Sequence, residues 1–378
     1  MFSTLKTPDT FEKLEILSRD AQYDLACACA TKDDEHRRRS REDKWIYPVV
    51  MPQGGTTFLF KTLLSNECRN NCKYCPLRAA SDSARVTLSP QELAKTFLAY
   101  YRQGRVSGLF LSSGACKNPD TAMGNINAAA QILRRSAFRG YIHLKVIPGA
   151  SEQAIRHSLS LATAVSLNIE APGEDNFRQL STTKDYVLDI TAPIELISRL
   201  TRRGAPFAGV HQTTQFVVGA ASETDQDILG SMGKLYGELK LNRVYFSAYQ
   251  RGLGTPDLYG ENSSVTNRDL LNREHRLYQA DWLVRKYGFA VNEIPLDAGG
   301  YLSLAFDPKE HWAKLHPEFF PVNINRADKN TLLRVPGLGQ IMVNRILAIR
   351  QAGSKINSFA ALGKAGKVIN KALPYLSF

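Results

Sequence analysis

The sequence predicts an α/β protein: a partial barrel of six strand–helix units with a small all-α domain at its C-terminus. Three observations predict it. Short apolar runs recur at 56–64, 108–112, 141–146, 164–169, 214–218 and 243–247, with the composition and length of strands. The intervals between them hold helix-length stretches around 90–103, 121–135, 151–160, 185–203 and 223–240. A crossover long enough for a helix is what consecutive parallel strands require, and six units are too few for a closed eight-stranded barrel. The third observation is a break in composition near residue 318. The last 58 residues carry nine Lys and Arg against one acid, Asp328, so a short tail holds +8 of the chain's +12. The expected divisions are an N-terminal helix and charged loop (1–55), the barrel (56–318) and a basic helical domain (319–378).

Each element has local reasons. Residues 10–30 read as a helix whose apolar side is Phe11, Leu14, Leu17 and Leu25. The mixed-charge run 31–44 reads as a solvated loop. Ser89-Pro90-Gln91-Glu92 is a helix start, with Ser as N-cap, Pro in the first turn and Glu three residues past the cap. Residues 268–288 form a long helix on which Arg273-Glu274-His275-Arg276 reads as a paired or solvated charge group clamping the barrel.

With 43% hydrophobic and 22% charged residues in 378, the profile is that of a soluble globular protein. No run reaches the length of a membrane span, and the charged first 20 residues lack a signal peptide's pattern. Six cysteines, three of them in one loop, point to a reducing compartment and a metal site, so the expected location is the cytoplasm. The positive charge favours a polyanionic partner.

The metal site is the stretch Glu67-Cys68-Arg69-Asn70-Asn71-Cys72-Lys73-Tyr74-Cys75. Three thiolates at C-x3-C-x2-C spacing can hold three irons of a 4Fe-4S cubane whose usual complement is four cysteines, leaving one iron open to a small molecule. A structural zinc completed by a remote ligand is the alternative reading, although zinc sites more often pair C-x2-C elements. The spacing, with Tyr74 in the aromatic slot, resembles the cluster loop of the radical S-adenosylmethionine (SAM) superfamily. The resemblance implies that the open iron binds the amino and carboxylate groups of SAM. One electron then cleaves SAM to methionine and a 5′-deoxyadenosyl radical.

Chemistry in such barrels lies at the C-terminal strand ends. Those ends carry Ser112-Ser113-Gly114-Ala115-Cys116, Lys145, Asn168-Ile169-Glu170, Val217-Val218-Gly219 and Ser247-Ala248-Tyr249. Small residues, a lysine and polar groups suit an anionic, adenosine-bearing ligand. By resemblance, Ser112-Ser113-Gly114 falls where the superfamily often has Gly-Gly-Glu, whose backbone holds the SAM amine; this chain departs from that pattern. Asn168 and Glu170 fall at ribose contacts. Val218 and Gly219, with Glu223 four residues on, resemble the segment packed against adenine, to which Tyr74 also lends its backbone. Cys116 and Tyr249 (or Tyr245) are candidate hydrogen-atom donors to a substrate radical; the ordinary alternative for Cys116 is a buried free thiol.

In the basic tail, a helix at 328–334, the turn Val335-Pro336-Gly337-Leu338-Gly339 and a second helix at 340–352 resemble a helix-hairpin-helix motif. Glycines let backbone approach a phosphate, and the N–H groups opening the second helix favour an anion. Pro336, Gly337, Leu338, Gly339 and Arg345 are the candidate nucleic-acid contacts, and 359–376 reads as a second, degenerate copy. Over nearly its whole length the chain resembles radical SAM proteins with a C-terminal helix-hairpin-helix, described as DNA modification or repair enzymes. The resemblance implies a SAM-cleaving enzyme that modifies or repairs DNA, fed electrons by a flavodoxin or ferredoxin. The alternatives are the same chemistry on RNA, such as a tRNA base, or a non-catalytic metal-containing DNA-binding protein.

Overall fold

The computed structural model describes residues 8–21, 45–51, 54–358, 362 and 367–378. Cys27, Cys29, the charged run 31–44 and all of 359–366 except Leu362 lie outside the described residues. The elements follow in the order α1 (Thr10–Asp20), β1 (Ile46–Val50), β2 (Thr56–Leu63), α2 (Pro90–Arg102), β3 (Gly108–Ser112), α3 (Pro119–Arg135) and β4 (Tyr141–Lys145). Then come α4 (Glu152–Leu161), β5 (Ala164–Ser166), α5 (Glu174–Leu180), α6 (Ala192–Thr201), β6 (His211–Val218), α7 (Asp225–Gly237) and β7 (Arg243–Ala248). The remainder is α8 (Tyr259–Asn262), α9 (Asn267–Tyr287), α10 (Pro308–Leu315), β8 (Val322–Asn323), α11 (Lys329–Arg334), α12 (Gln340–Gln351) and β9 (Leu376–Ser377). The chain divides into two compact units, residues 1–223 with 231–274, and residues 224–230 with 275–378.

The first unit holds one seven-stranded sheet in sequential order, β1 to β7. Strands β2 to β7 are parallel neighbours, and these are the six expected strands. Sequential order with crossovers of one hand places every connecting helix on the same side, so the sheet curls into a half-barrel with a lumen on its other face. Burial on both faces explains why the strands read as nearly continuous apolar runs. The seventh strand, β1, was not legible. It pairs antiparallel with β2 and contains Pro48, which a sheet tolerates at an edge.

Helix starts follow the local chemistry. Ser89 Oγ accepts the Glu92 N–H at 3.1 Å, and the Glu92 carboxylate accepts the Ser89 N–H at 2.7 Å. The same carboxylate accepts from Lys13 Nζ at 3.0 Å and Thr10 Oγ1 at 3.2 Å, which ties α1 to the start of α2. Behind the sheet, Phe60, Phe97, Tyr100 and Phe138 pack edge to face. The stretch read as one helix over 185–203 is a π turn at Tyr186–Thr191 followed by α6, with Pro193 in the first turn of α6. Pro is tolerated there because a first-turn N–H has no intrahelical acceptor. Helix α5, just before it, had no strong local signal.

The second unit is built on a core that includes Ile324, Leu332, Leu333, Val335, Leu338, Val343 and Ile346. Its helices are joined by a two-residue parallel pair, β8 with β9. The Asn325 side chain pairs with the Ile356 backbone through two 2.8 Å bonds, one donated and one accepted. Residues upstream of 319 belong to this unit by their contacts. The Arg334 guanidinium meets both Glu293 carboxylate oxygens at 2.7 and 3.0 Å. It also lies over the Phe289 and Trp312 rings at 4.3 and 4.9 Å.

Candidate functional site

A cavity opens in the first unit at the C-terminal ends of the parallel strands. It is lined by Cys68, Cys72, Tyr74, Cys75, Ser112, Ser113, Gly114, Lys145, Asn168, Glu170 and Tyr249, all singled out in the sequence. Lys184, Gln215, Ser247 and Asp20 line it too. Cys116, Val218 and Gly219 are not among the described residues that line it, although their neighbours Ala115 and Val217 are. Val218 is fully buried. The Gly219 N–H is held by the Glu223 carboxylate at 2.6 Å, and Arg273 closes on that carboxylate at 3.3 Å and on the Glu223 carbonyl at 2.9 Å.

The cysteine loop is held by carbonyl-seeking cations rather than by regular structure. Arg85 donates to four backbone carbonyls, those of Asn66 (2.5 Å), Leu77 (3.0 Å), Arg78 (2.8 Å) and Ser81 (3.1 Å). Arg78 joins the Cys75 carbonyl (3.0 Å) to that of Leu253 (2.8 Å). The Asn66 amide donates to Asp20 Oδ2 and to the Ala84 carbonyl, both at 2.7 Å. Loops from other strand ends complete the frame. The Lys73 N–H donates to the Leu180 carbonyl at 2.8 Å, the Arg69 N–H to Ala115 at 3.1 Å, and the Gly114 N–H to Ser65 at 2.7 Å. Lys73 Nζ pairs with Asp257 at 2.6 Å.

Within this frame Cys72 is buried and Cys68 and Cys75 are half-buried. Burial first, and then the neighbouring Cys72 and Cys68 sulfurs, push the Cys75 thiol up to about 12. That the three sulfurs influence one another places them around one space. Among the described residues no three His, Cys, Asp or Glu side chains converge enough to hold a single ion. A cubane asks for no such convergence, since its thiolates bind different irons. Soft thiolate donors suit an iron–sulfur cluster, so the residues present fit one.

The opposite wall is charged. Glu170 adopts a left-handed backbone, φ 66°, a strained state for a non-glycine residue. It is pinned there by β6: its N–H donates to the Gln215 carbonyl at 3.0 Å and its carbonyl accepts the Val217 N–H at 2.7 Å. Asn168 Nδ2 reaches Glu170 Oε2 at 3.5 Å. The Tyr74 hydroxyl is bonded to Glu170, and burial first, then the Glu170 charge, raises its pKa well above the usual value. Burial pulls the Lys184 ammonium down, but Cys72 and Glu170 outweigh it and the net shift is upward. Lys184 thus stands between a cluster cysteine and the acidic wall. Neither Lys184 nor Arg85 was legible, because each acts through partners distant in sequence.

The two candidate hydrogen-atom donors differ. Tyr249 is 4% exposed, and its hydroxyl donates to the Glu261 carboxylate. Burial and that carboxylate raise its pKa. Glu261 also accepts the Gly252 and Gly254 N–H groups at 2.9 Å each, so Tyr249 belongs to the closure of the 249–261 loop. Cys116 is half-buried, and its thiol is pushed up by burial and by Glu67.

In the second unit the expected hairpin is formed. Gly337 has φ 83°, which glycine alone adopts without strain. Gly339 is the N-cap of α12 and makes no side-chain cap bond, so no side chain competes for the amides opening that helix. Arg345 Nη1 donates to the Leu362 carbonyl at 2.6 Å, and Arg350 donates to the Ala327 carbonyl at 2.5 Å. No helix among the described residues is long and apolar enough to cross a membrane.

Several solved structures are similar to this chain. The FeFe-hydrogenase maturase HydG from Carboxydothermus hydrogenoformans is 15% identical with a TM-score of 0.46, over 58% of this chain and 50% of HydG. Methylornithine synthase (PylB) is 15% identical with a TM-score of 0.44, over 58% of this chain and 62% of PylB. Coproporphyrinogen III oxidase (HemN) from Escherichia coli, a radical SAM enzyme, is 16% identical with a TM-score of 0.37, over 60% of this chain and 52% of HemN. The chain therefore spans about half to three-fifths of these proteins' length. No curated protein matches the chain in sequence. The family model of the helix-hairpin-helix motif matches residues 319–374, the part of the chain that holds the hairpin and both its helices. The C-terminal segment of this protein is a helix-hairpin-helix motif.

Proposed function

We propose that this protein is a radical SAM enzyme that modifies or repairs nucleic acid, with DNA as the first candidate substrate. The observation that carries it is the convergence of three thiols, a Ser-Ser-Gly turn and the Asn168–Glu170 wall on one cavity at the strand ends. Cys68, Cys72 and Cys75 would hold three irons of a 4Fe-4S cluster. The cluster, with SAM, supplies reductive cleavage of SAM and a deoxyadenosyl radical. The chain's own residues would bind and orient. Glu170, the Asn168 amide and the Tyr74 hydroxyl offer hydrogen bonds to ribose hydroxyls, and Lys145 and Lys184 offer cations to a carboxylate. Ser112, Ser113 and Gly114 give a narrow backbone surface for the amine.

The nucleic-acid part of the reading rests on the helix-hairpin-helix motif and on the +8 charge of the last 58 residues. Backbone contacts at such a hairpin hold a phosphate without reading bases. A base inside a duplex is out of reach of a barrel cavity, so the expected target is a flipped, damaged or single-stranded site. The electron donor would be of the flavodoxin or ferredoxin class, and the cytoplasm the working compartment.

The test is anaerobic reconstitution with iron and sulfide, then dithionite and SAM, with an assay for 5′-deoxyadenosine in the presence of DNA, RNA or neither. Formation that is lost in Cys72→Ala and accelerated by DNA is the expected result. Acceleration by RNA alone would change the substrate. A protein that binds zinc and leaves SAM intact would overturn the enzyme reading.

A further inference from the structure

Lys309 opens α10, yet its side chain points into the second unit and the residue is 9% exposed. Its Nζ donates to the Leu333 carbonyl at 2.9 Å and to the Leu338 carbonyl at 2.6 Å, and stands 4.8 Å from the centre of the Tyr287 ring. Leu333 lies in the last turn of α11, where carbonyls lack intrahelical partners. Leu338 lies between the two hairpin glycines. One ammonium therefore joins both arms of the turn.

The orientation of the hairpin follows from peptide geometry. A trans peptide is planar, with its C=O and the next residue's N–H pointing in opposite directions. Fixing the Leu338 carbonyl on Lys309 turns the Gly339 N–H away from Lys309, ahead of α12. The same ammonium places a positive charge behind those amides, where burial keeps water from screening it.

We propose that Lys309 is the positioning residue of the hairpin, and that nucleic-acid binding at the hairpin is coupled to proton uptake by this side chain. The proposal rests on the reading of 319–374 as a nucleic-acid contact. Lys309 lies upstream of the matched motif, so the working hairpin includes α10. Burial pulls the Lys309 ammonium down to about 7, against the pull of the Asp307 carboxylate. The other charged groups around it are engaged elsewhere. Arg334 is on Glu293, and Lys371 lies 3.2 Å from Glu310 and 4.0 Å from Asp307. His275 on α9, which feels Asp307, is shifted down by burial and Arg276, so it loses its proton below the range where Lys309 does. A phosphate at the hairpin favours the ammonium. By reciprocity, deprotonation weakens phosphate binding.

The experiment is fluorescence anisotropy of a labelled DNA duplex with the full chain at fixed salt, from pH 6 to pH 9. It compares wild type, Lys309→Arg and Lys309→Met, with melting curves alongside. Wild type should bind about tenfold more weakly at pH 9 than at pH 6, the ordinary scale of such couplings. Lys309→Arg, charged throughout, should bind with little pH dependence, and Lys309→Met should be weak at every pH. Wild-type binding without pH dependence, or the wild-type slope retained in Lys309→Arg, overturns this proposal alone. Absence of binding at every pH overturns the nucleic-acid reading and this proposal with it.

Discussion

Changing Gly114 to Ala should disturb the cysteine loop although Gly114 is not a cysteine and bears no charge. A Cβ at this position would lie 2.2 Å from the Glu67 carbonyl oxygen, 2.8 Å from its carbon and 3.2 Å from Cys68 Cβ. The first contact is roughly 1 Å short of a comfortable separation. The nearest two atoms are backbone, so no side-chain rotation relieves the clash. The Gly114 N–H is also bonded to Ser65 at 2.7 Å, which prevents the turn from simply backing away. Overpacking of this kind costs about 1–3 kcal/mol, and a domain of this size loses about 2–4 °C per kcal/mol. The expected fall in Tm is thus about 2–12 °C. Because the displaced backbone carries Cys68, iron and sulfide bound after anaerobic reconstitution should fall below wild type as well. A variant with wild-type Tm and a full complement of iron would refute the close approach of the two loops as a constraint on the site.

Other perturbations separate space from conformation and charge from packing. Gly124 lies in α3 with nothing within 4 Å of an added Cβ, so Gly124→Ala should stabilise by about 0.5–1 kcal/mol in urea unfolding. Destabilisation would mean that the helix needs the gap. Burial raises the Glu92 pKa, but the Ser89 and Lys13 bonds outweigh it and bring it to about 2. A depressed carboxylate contributes stability above its unfolded pKa and loses it as pH falls through the folded value. Glu92→Gln should therefore be less stable than wild type at pH 6, with the difference closing between about pH 4.3 and pH 2. Denaturant midpoints at several pH values measure this, and a gap that stays constant with pH would sink the linkage.

What could be read in advance was what is local. The C-x3-C-x2-C loop, the Ser89–Glu92 capping box and the Pro-Gly-x-Gly hairpin each act through residues a few positions apart, so spacing alone reveals them. The six parallel strands were legible because burial on both faces makes each a compact apolar run. Strand β1 was not, since Pro48 and a two-sided burial pattern hide an edge strand whose only reason is the partner β2. Helix α5 and the π turn before α6 were missed because short elements held by packing carry little periodicity.

The sequence by itself determined which chemistry the chain carries: three soft thiolates in one loop and a glycine hairpin in a basic tail. Tertiary structure alone decided what surrounds them. It brought Lys184 to Cys72, set Glu170 in a left-handed turn against β6, gathered four carbonyls on Arg85 and turned Tyr249 to Glu261. It also buried Lys309 under the hairpin. The physical reason is common to all five. A cation finds its role in carbonyls or carboxylates that the fold delivers from tens or hundreds of residues away, and such partners leave no spacing in the chain to read.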